Sequence, residues 1–271
     1  MLAALTSEAD EPDLDINELG GGPIAGSRPQ LELQLGFATS DLTGEEIERV
    51  RPLCDAAFDR TLDEVRFRKI HDILWTGRGT PIVPPERTRG AIYVVRDPRD
   101  VAVSFAAHSD RSHAWAVEAL GSSETAMVGA PGVLAPQVRQ HLGTWSEHVS
   151  AWTAGHDLFP VLVVRYEDMA ADPLGSLARL AAFAGLEPPE ERLAAAVEAA
   201  SFEALRAKEE HEGFHERPGP ERTFFRRGQT GGWREELAPE LAARLERDHA
   251  EVMRRLGYLR DAAGAATAHL T

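Results

Sequence analysis

This sequence of 271 residues contains a single cysteine and only two lysines. Cys54 is the sole cysteine, which excludes an internal disulfide framework and a metal cluster built from several thiolates. A chain so poor in cysteine is typical of a reducing compartment, so we predict a cytoplasmic protein. Only two of the 29 basic residues are lysine, Lys69 and Lys208, so arginine must dominate any cationic site.

The chain also lacks long apolar runs and a surplus of positive charge. No run approaches the roughly 20 apolar residues that a membrane-spanning helix needs, so we predict no membrane partner. The formal net charge is −15, which argues against broad binding of nucleic acid because such binding requires a cationic surface. A local cationic pocket for a small anion is still compatible with this charge. The oligomeric state is not encoded in any pattern.

The hydrophobic content of 43% is enough for one large domain, and the periodicity indicates its class. Two continuous apolar runs, AIYVV at 91–95 and VLVV at 161–164, predict strands that are buried on both faces. Helical patterns alternate with them, which predicts an α/β fold of three layers, with a mainly parallel central sheet flanked by helices. We predict a single domain over 1–271, with an irregular N-terminal segment at 1–42 and a frayed tail at 260–271.

Local signals predict three further elements. The T-G-E-E sequence at 43–46 is a capping box and predicts a helix that ends near Arg60. The stretch DEVRFRKIHDIL predicts a strand that ends near His71. Residues 213–233 show no periodicity and predict a long loop, which in a compact domain is usually functional or disordered.

The sequence GAIYVVRDPRDVAVSFAAH at 90–108 combines a strand, a charged turn and a helix. Ligands of open α/β sheets bind beyond the carboxyl ends of the strands, and Arg96 stands at such an end. Asp97 is a suitable N-cap and Pro98 suits the first helical turn, so the amino end of the helix should point at Arg96. Free backbone N–H groups and a bidentate guanidinium together favour an anion such as phosphate. The alternative is that Arg96 pairs with an aspartate and that the other polar residues only cap the helix.

Several segments make the chain similar to a known family. VVRDPRDVAVS resembles the 3′-phosphate motif of the sulfotransferases that use 3′-phosphoadenosine 5′-phosphosulfate (PAPS), and VVRYEDMAADPLGSLARL resembles the next strand and helix of that family. SFEAL, FFRRGQTGGW and RKIHDI are similar to its adenine-contacting segment, its late loop and its K-x-H segment. The resemblance covers roughly residues 65–258, and it implies the P-loop nucleoside-triphosphate-hydrolase-like fold of that family.

The resemblance implies which residues bind the 3′-phosphate of the donor. Arg96 and Ser104 would hold this group, and Arg226, Arg227 and the backbone of Gly228 would close over it. Such a phosphate carries about two negative charges at neutral pH, which the three arginines would neutralise. The late loop would then act as a lid that the ligand orders. A solvated basic turn is the alternative for the loop arginines.

The resemblance also implies a reaction, the transfer of a sulfuryl group from PAPS to a hydroxyl or amine of a small-molecule acceptor. The product is adenosine 3′,5′-bisphosphate (PAP), and no metal is required. His71 would be the general base, since a histidine can remove a proton at neutral pH. Lys69 would share a face with it on a strand and would stabilise negative charge near the transferred group. Tyr166 and Phe202 would contact the adenine, with core packing as the alternative for both rings.

No motif identifies the acceptor. In the implied fold three irregular regions would shape its pocket: 72–90, 108–135 and 205–222. The aromatic candidates for an apolar pocket are Trp75, Phe105 and Trp115.

One family signature is absent from its expected place. The family has an early strand and then a loop with a lysine and small hydroxyl residues, which cradles the 5′-phosphosulfate. The best substitute here, GGGPIAGSR at 20–28, follows LDINEL, which is a poor candidate for a buried strand. We therefore expect that the first strand and the phosphate loop are missing because the chain begins too late; a stop codon directly upstream of Met1 would contradict this. Gly232 also stands where the family commonly has an acidic residue.

Two other functions compete with this one. HEGFH at 211–215 matches the H-E-x-x-H signature of zinc metalloproteases, which needs one continuous helix to bring both histidines to one face. Gly213 interrupts that stretch and Pro218 follows it closely. The other alternative is an inactive PAP(S)-binding relative or a truncated gene product, which would keep the 3′-phosphate site without transferring a sulfuryl group.

Overall fold

A computed structural model describes residues 1–7, 14–17, 24–59, 66–128, 134–217, 219 and 222–260. Within these ranges the chain forms β1 (Ala91–Val95), β2 (Ala126–Met127), β3 (Gln140–His141) and β4 (Val161–Arg165). Its longer helices are α1 (Leu2–Thr6), α2 (Arg28–Leu35), α3 (Gly44–Asp59), α4 (Pro98–Ser109), α5 (His113–Leu120), α6 (Trp145–Ala154), α7 (Tyr166–Ala171), α8 (Pro173–Phe183), α9 (Glu190–Ala199), α10 (Phe202–Glu212), α11 (Trp233–Glu236), α12 (Pro239–Asp248) and α13 (Ala250–Arg255).

The two apolar runs of the sequence pair in parallel as β1 and β4, with Ala91 opposite Val161. Helices α6 and α13 pack on this pair, where Val95 shares a core cluster with Val149 and Met253. Helix α8 also packs against β4. A parallel sheet flanked by helices confirms the predicted α/β class. In the described ranges this sheet has two strands, and β2 and β3 form a separate antiparallel pair.

Two predictions about strands are wrong. Val94 of β1 is 51% exposed, so this strand is not buried on both faces along its length. The stretch at 66–73 forms no strand, although the predicted strand reached His71; residues 60–65 lie outside the described ranges. This stretch instead makes isolated backbone hydrogen bonds to two different neighbours, from Ala25 N to Lys69 O (3.1 Å) and from Ile73 N to His141 O (2.8 Å).

The first 42 residues contain two helices that the sequence analysis did not predict. Ala4 and Leu5 of α1 are buried in a cluster that includes Leu177 of α8. Ser27 caps α2 by accepting a hydrogen bond from Gln30 N, so the described end of GGGPIAGSR begins a helix. The prediction of an irregular segment is therefore wrong for α1 and α2. Residues 18–23 and 261–271, which include most of the predicted frayed tail, lie outside the described ranges.

The local capping predictions are confirmed. Thr43 and Glu46 make the reciprocal hydrogen bonds of a capping box, and α3 begins at the next residue after Thr43 and ends at Asp59. Asp97 caps α4 by accepting a hydrogen bond from Arg99 N at 2.9 Å. Where it is described, the stretch at 213–232 forms neither helix nor strand. None of the helices in the described ranges is long and apolar enough to cross a membrane.

A buried ion pair holds the irregular stretch at 66–73 in place. Arg51 of α3 donates two hydrogen bonds to the carboxylate of Asp72, both at 2.8 Å, and both side chains are almost fully buried. Trp152 of α6 donates its indole N–H to the backbone oxygen of Asp72. Without a ladder of strand hydrogen bonds, these contacts fix the position of the neighbouring His71.

We predict that Asp72→Ala lowers the free energy of unfolding by about 3–5 kcal/mol, because it leaves the Arg51 guanidinium buried and unpaired. Chemical denaturation measures this change. Asp157→Ala is the matched control, since this carboxylate pairs with His156 on the surface, and its loss should cost about 1 kcal/mol or less. Equal losses in the two variants would contradict the prediction.

Candidate active site

A cleft of about 900 Å³ opens at the carboxyl end of β1, and we call it the Arg96 cleft. This volume lies near the upper end of the range for small-molecule sites. Its lining includes all nine residues that the sequence analysis named as site residues: Lys69, His71, Arg96, Ser104, Tyr166, Phe202, Arg226, Arg227 and Gly228. The fold thus brings together residues from widely separated segments of the chain.

Most of the charge that follows β1 is structural. Asp97 and Arg99 are buried and pair at 2.7 Å, in addition to the helix cap that Asp97 provides. The Arg99 guanidinium lies 4.1 Å from the centre of the Trp233 ring and donates a hydrogen bond to the backbone oxygen of Tyr258. These contacts join α4 to α11 and to the segment that follows α13. Asp97 therefore caps the helix as predicted, whereas its pairing with Arg99 was not predicted from the sequence.

Asp100 anchors the late loop. Its buried carboxylate accepts hydrogen bonds from Gly231 N at 2.6 Å and from Trp233 N at 2.9 Å. Both oxygens are therefore used by backbone N–H groups that lie more than 130 positions later in the chain. This contact brings the loop with Arg226 and Arg227 to the end of β1.

The guanidinium of Arg96 still has N–H groups that could donate hydrogen bonds to a ligand. Its Nη2 donates to the backbone oxygen of Gln229 at 2.7 Å, and its guanidinium lies 4.4 Å from the centre of the Tyr166 ring. The nearest oxygen of Asp100 is 4.0 Å away and already accepts from Gly231. The Nε of Arg96 is buried and has no hydrogen-bond partner among the described residues. A buried guanidinium donor without a partner fits an anionic ligand.

The two loop arginines share one carboxylate. Arg226 donates to both oxygens of Glu236, at 2.6 and 3.1 Å, and Arg227 lies 3.2 Å from the same carboxylate. The hydrogen bonds from Arg226 lower the pKa of Glu236. Glu236 also lines the Arg96 cleft, and the sequence analysis did not identify it. Its place directly after the late loop, in the W-R-E-E sequence of α11, was the one available signal.

Gly228 packs against the ring of Phe202. Its φ is +62°, in the left-handed region, and a Cβ built on it would lie 2.3 Å from Cδ2 of Phe202. Ser201 caps α10, which places Phe202 at the first position of this helix. A glycine is therefore required here both by the backbone conformation and by the close approach of the ring.

His71 and Lys69 reach the cleft from the irregular stretch at 66–73. Lys69 Nζ pairs with the Glu216 carboxylate, at 2.7 and 3.0 Å, and both side chains are exposed. His71 is half-buried, and its Nδ1 has no hydrogen-bond partner in the described part of the chain. Burial, reinforced by the positive charge of Lys69, lowers the pKa of His71, whereas Glu216 opposes this shift. The imidazole is therefore neutral near neutral pH.

A second histidine lines the cleft and was missed in the sequence. The His148 Nδ1 lies 2.8 Å from the Tyr93 hydroxyl, and its Nε2 donates to the backbone oxygen of His71 at 3.0 Å. Burial lowers the pKa of His148, so its ring is neutral and accepts the Tyr93 proton at Nδ1. Both nitrogens of His148 are thus engaged, so this histidine is not free to take a proton. Only the helical period of α6, with Trp145 buried one turn earlier, hinted that His148 faces inward.

The rest of the cleft is largely apolar. Its apolar lining includes Phe105, Leu120, Met127, Leu142, Trp145, Phe224 and Phe225. Of the three aromatic candidates for an acceptor pocket, Phe105 lines the cleft, whereas Trp115 packs behind it and Trp75 lies elsewhere. The buried carboxylate of Glu209 accepts hydrogen bonds from the backbone N–H groups of the two late phenylalanines and so fixes their position.

The H-E-x-x-H match does not form a metal site in the structure. Helix α10 ends at Glu212, and Gly213 follows with φ +78°, so His211 and His215 do not share a helix. No group of three or more potential metal ligands occurs among the described residues. The described residues therefore give no support to a zinc protease.

Known proteins resemble this chain along most of the described region. Residues 89–257 match the family model of the sulfotransferase domain. The chain is 30% identical over 207 residues to cytosolic sulfotransferase 16 of Arabidopsis thaliana, covering 71% of this chain and 59% of that protein. It is 29% identical over 169 residues to an amine sulfotransferase of Oryctolagus cuniculus, covering 60% of this chain and 54% of that protein.

A solved structure has a similar fold. Mouse sulfotransferase SULT7A1, crystallised with PAP, superposes with a TM-score of 0.53 at 21% identity, covering 75% of this chain and 71% of that one. This likeness supports the fold of the chain. The chain spans about half to three fifths of the length of the curated relatives it matches.

We predict that Gly228→Ala loosens the late loop, because the new Cβ would overlap the ring of Phe202. An overlap of this kind costs about 1–3 kcal/mol, so the amide protons of Gly231 and Trp233 should exchange with solvent about tenfold faster or more. Amide hydrogen exchange measures this effect.

Gly185→Ala is the matched control for that experiment. Gly185 also has a left-handed φ, +72°, but a Cβ there meets nothing within 4 Å. Combining Phe202→Ala with Gly228→Ala should slow the exchange again in part, since the truncated side chain leaves room for the Cβ while the left-handed φ still disfavours alanine. Unchanged exchange in Gly228→Ala would show that the loop does not depend on this contact.

Proposed function

Since the chain belongs to the sulfotransferase domain family, we propose that it transfers a sulfuryl group from PAPS to a hydroxyl or amine of a small-molecule acceptor. One observation carries this proposal: three arginines from distant segments, Arg96, Arg226 and Arg227, line the same cleft as His71. A cationic cluster beside a neutral histidine suits a phosphorylated donor and an acceptor that must lose a proton.

The residues of the Arg96 cleft fit the 3′-phosphate and the adenine of the donor. When bound, PAPS supplies the activated sulfuryl group and leaves as PAP. The guanidinium of Arg96 and the hydroxyl of Ser104 would contact the 3′-phosphate, and the loop arginines would add charge on its other side. Tyr166 and Phe202 would contact the adenine, the latter next to the backbone of Gly228.

His71 is the proposed general base. Its lowered pKa leaves the imidazole unprotonated at neutral pH, so it can take the proton of the acceptor as the acceptor atom bonds to sulfur. Lys69 would stabilise the negative charge that develops on the donor oxygen, which requires that its exposed ion pair with Glu216 open or turn. The histidine–tyrosine pair of His148 and Tyr93 would hold the backbone of the base in position.

The apolar lining of the Arg96 cleft favours an acceptor with an apolar body. Such a body would pack against Phe105, Trp145 and the pair Phe224–Phe225. We also propose a cytoplasmic location, because the matched plant relatives are named as cytosolic and the chain is poor in cysteine.

We expect the protein to bind PAP more tightly than adenosine 5′-monophosphate (AMP), which lacks the 3′-phosphate. Arg226→Gln should weaken PAP by about 10- to 100-fold, since a hydrogen bond to a charged group contributes about 1.5–3 kcal/mol, and should leave AMP unaffected. Titration calorimetry with both nucleotides measures this.

Arg247→Gln, at an exposed position outside the cleft, controls for the change in net charge. A wild-type protein that binds neither nucleotide, or that binds both equally, would refute the proposed donor.

We predict that His71→Asn lowers the rate of sulfuryl transfer by about 10²–10⁴-fold and leaves the affinity for PAP unchanged. The wild-type rate should rise with pH through the pKa of His71 and level off near neutrality, because only the unprotonated ring accepts the proton. Lys69→Met should move this acid limb to higher pH, since it removes a positive charge that lowers the pKa of His71.

A transfer assay with PAPS and a panel of alcohols, phenols, sugars and amines provides these measurements. His156→Asn, an exposed histidine outside the cleft, is the control. Tight binding of PAP without transfer to any acceptor would favour the alternative of a non-catalytic nucleotide-binding protein.

A further inference from the structure

Glu236 is the acidic partner of both loop arginines. Its carboxylate takes two hydrogen bonds from Arg226 and lies 3.2 Å from Arg227, and its side chain is only 18% exposed. Adjacent guanidinium groups repel each other, and each is attached by a long side chain that can adopt many rotamers. A shared carboxylate reduces the repulsion and restricts both side chains to the side that faces the cleft.

The contact leaves the arginines able to bind a second anion. A guanidinium has five N–H donors, and Arg226 directs only its two Nη atoms to Glu236. The Nη1 of Arg227 lies 3.2 Å from the Glu236 carboxylate and 3.6 Å from the exposed carboxylate of Glu235. In the described part of the chain the other guanidinium donors of these two arginines have no further hydrogen-bond partner, so the carboxylate can orient the arginines and still leave donors for a phosphate.

The backbone beside Glu236 offers a way to move this carboxylate. Gly232 has a right-handed helical conformation, φ −61° and ψ −19°, which any residue can adopt. A Cβ built on Gly232 meets one atom within 4 Å, and that atom is Oε1 of Glu236, at 4.0 Å. An aspartate at position 232 would therefore direct its carboxylate toward the region that the Glu236 carboxylate now occupies.

We propose that Glu236 is a positioning residue for the donor site: it orients Arg226 and Arg227 toward the 3′-phosphate and so contributes to the selection of 3′-phosphorylated nucleotides. This inference rests on the proposed function. In this role the Glu236 carboxylate helps the two arginines to bind the phosphate. It does not compete with the phosphate for them.

Glu236→Gln tests the proposal. An amide offers one acceptor where the carboxylate offers two, so the two-fold contact with Arg226 is lost. We expect the dissociation constant of PAP to rise about three- to tenfold, because binding must then order one or more arginine side chains that Glu236 no longer holds in place. The dissociation constant of AMP should stay unchanged. Titration calorimetry with PAP and AMP gives both constants.

The double variant Gly232→Asp with Glu236→Ala provides the rescue, because alanine vacates the space that a glutamine at position 236 would still fill. It returns a carboxylate to the two arginines from position 232, and it should recover the preference for PAP over AMP. Glu240→Gln, an exposed acid outside the cleft, is the control for net charge and should leave both affinities unchanged.

The outcomes separate this inference from the proposed function. A wild-type protein without a preference for PAP over AMP refutes the donor site itself. A wild-type preference that Glu236→Gln leaves intact, or increases, overturns only the role of Glu236; an increase would identify it as a competitor. Equal weakening of PAP and AMP would show a merely structural role and would also overturn it. Should the single variant not fold, the double variant decides, since the proposal requires that it fold and prefer PAP.

Discussion

The buried carboxylate of Asp100 is the contact on which the candidate site depends. It lies in the first turn of α4 and accepts the backbone N–H groups of Gly231 and Trp233. Through it, the end of β1 holds a loop that is far away in the sequence, so that Arg96 and the loop arginines line one cleft. A buried anion with both oxygens hydrogen-bonded to backbone N–H groups fixes the direction in which those groups must point.

The same contact explains how an acidic protein maintains a cationic cleft. The formal net charge is −15, yet the carboxylates nearest to Arg96 are already engaged. Asp97 pairs with Arg99, and Asp100 binds backbone N–H groups, so neither fully neutralises Arg96. Net charge therefore says little about the local field in a cleft, which depends on which charges have already found partners.

Local chemistry in the sequence predicted those elements whose stability is local. The capping box at Thr43, the N-cap at Asp97 and the existence of strands at β1 and β4 were correctly predicted, because helix ends and apolar runs depend on neighbouring residues. The strand predicted up to His71 failed because strand formation requires a partner, and this stretch is held instead by the Arg51–Asp72 ion pair and isolated backbone bonds. Val94 was misjudged for a similar reason, since its burial depends on which helices cover the sheet.

The sequence by itself determined the class of the fold, the motifs of the family and the identity of nine residues that line the cleft, because each motif is a short run with its own chemistry. The tertiary structure alone decided how these residues are connected. It paired Glu236 with two arginines, placed Tyr93 beside His148, and used Asp97, Arg99 and Asp100 as supports rather than as ligands. Such pairings join residues that are distant in the chain, and their free energy depends on burial and direction, which a linear sequence does not encode.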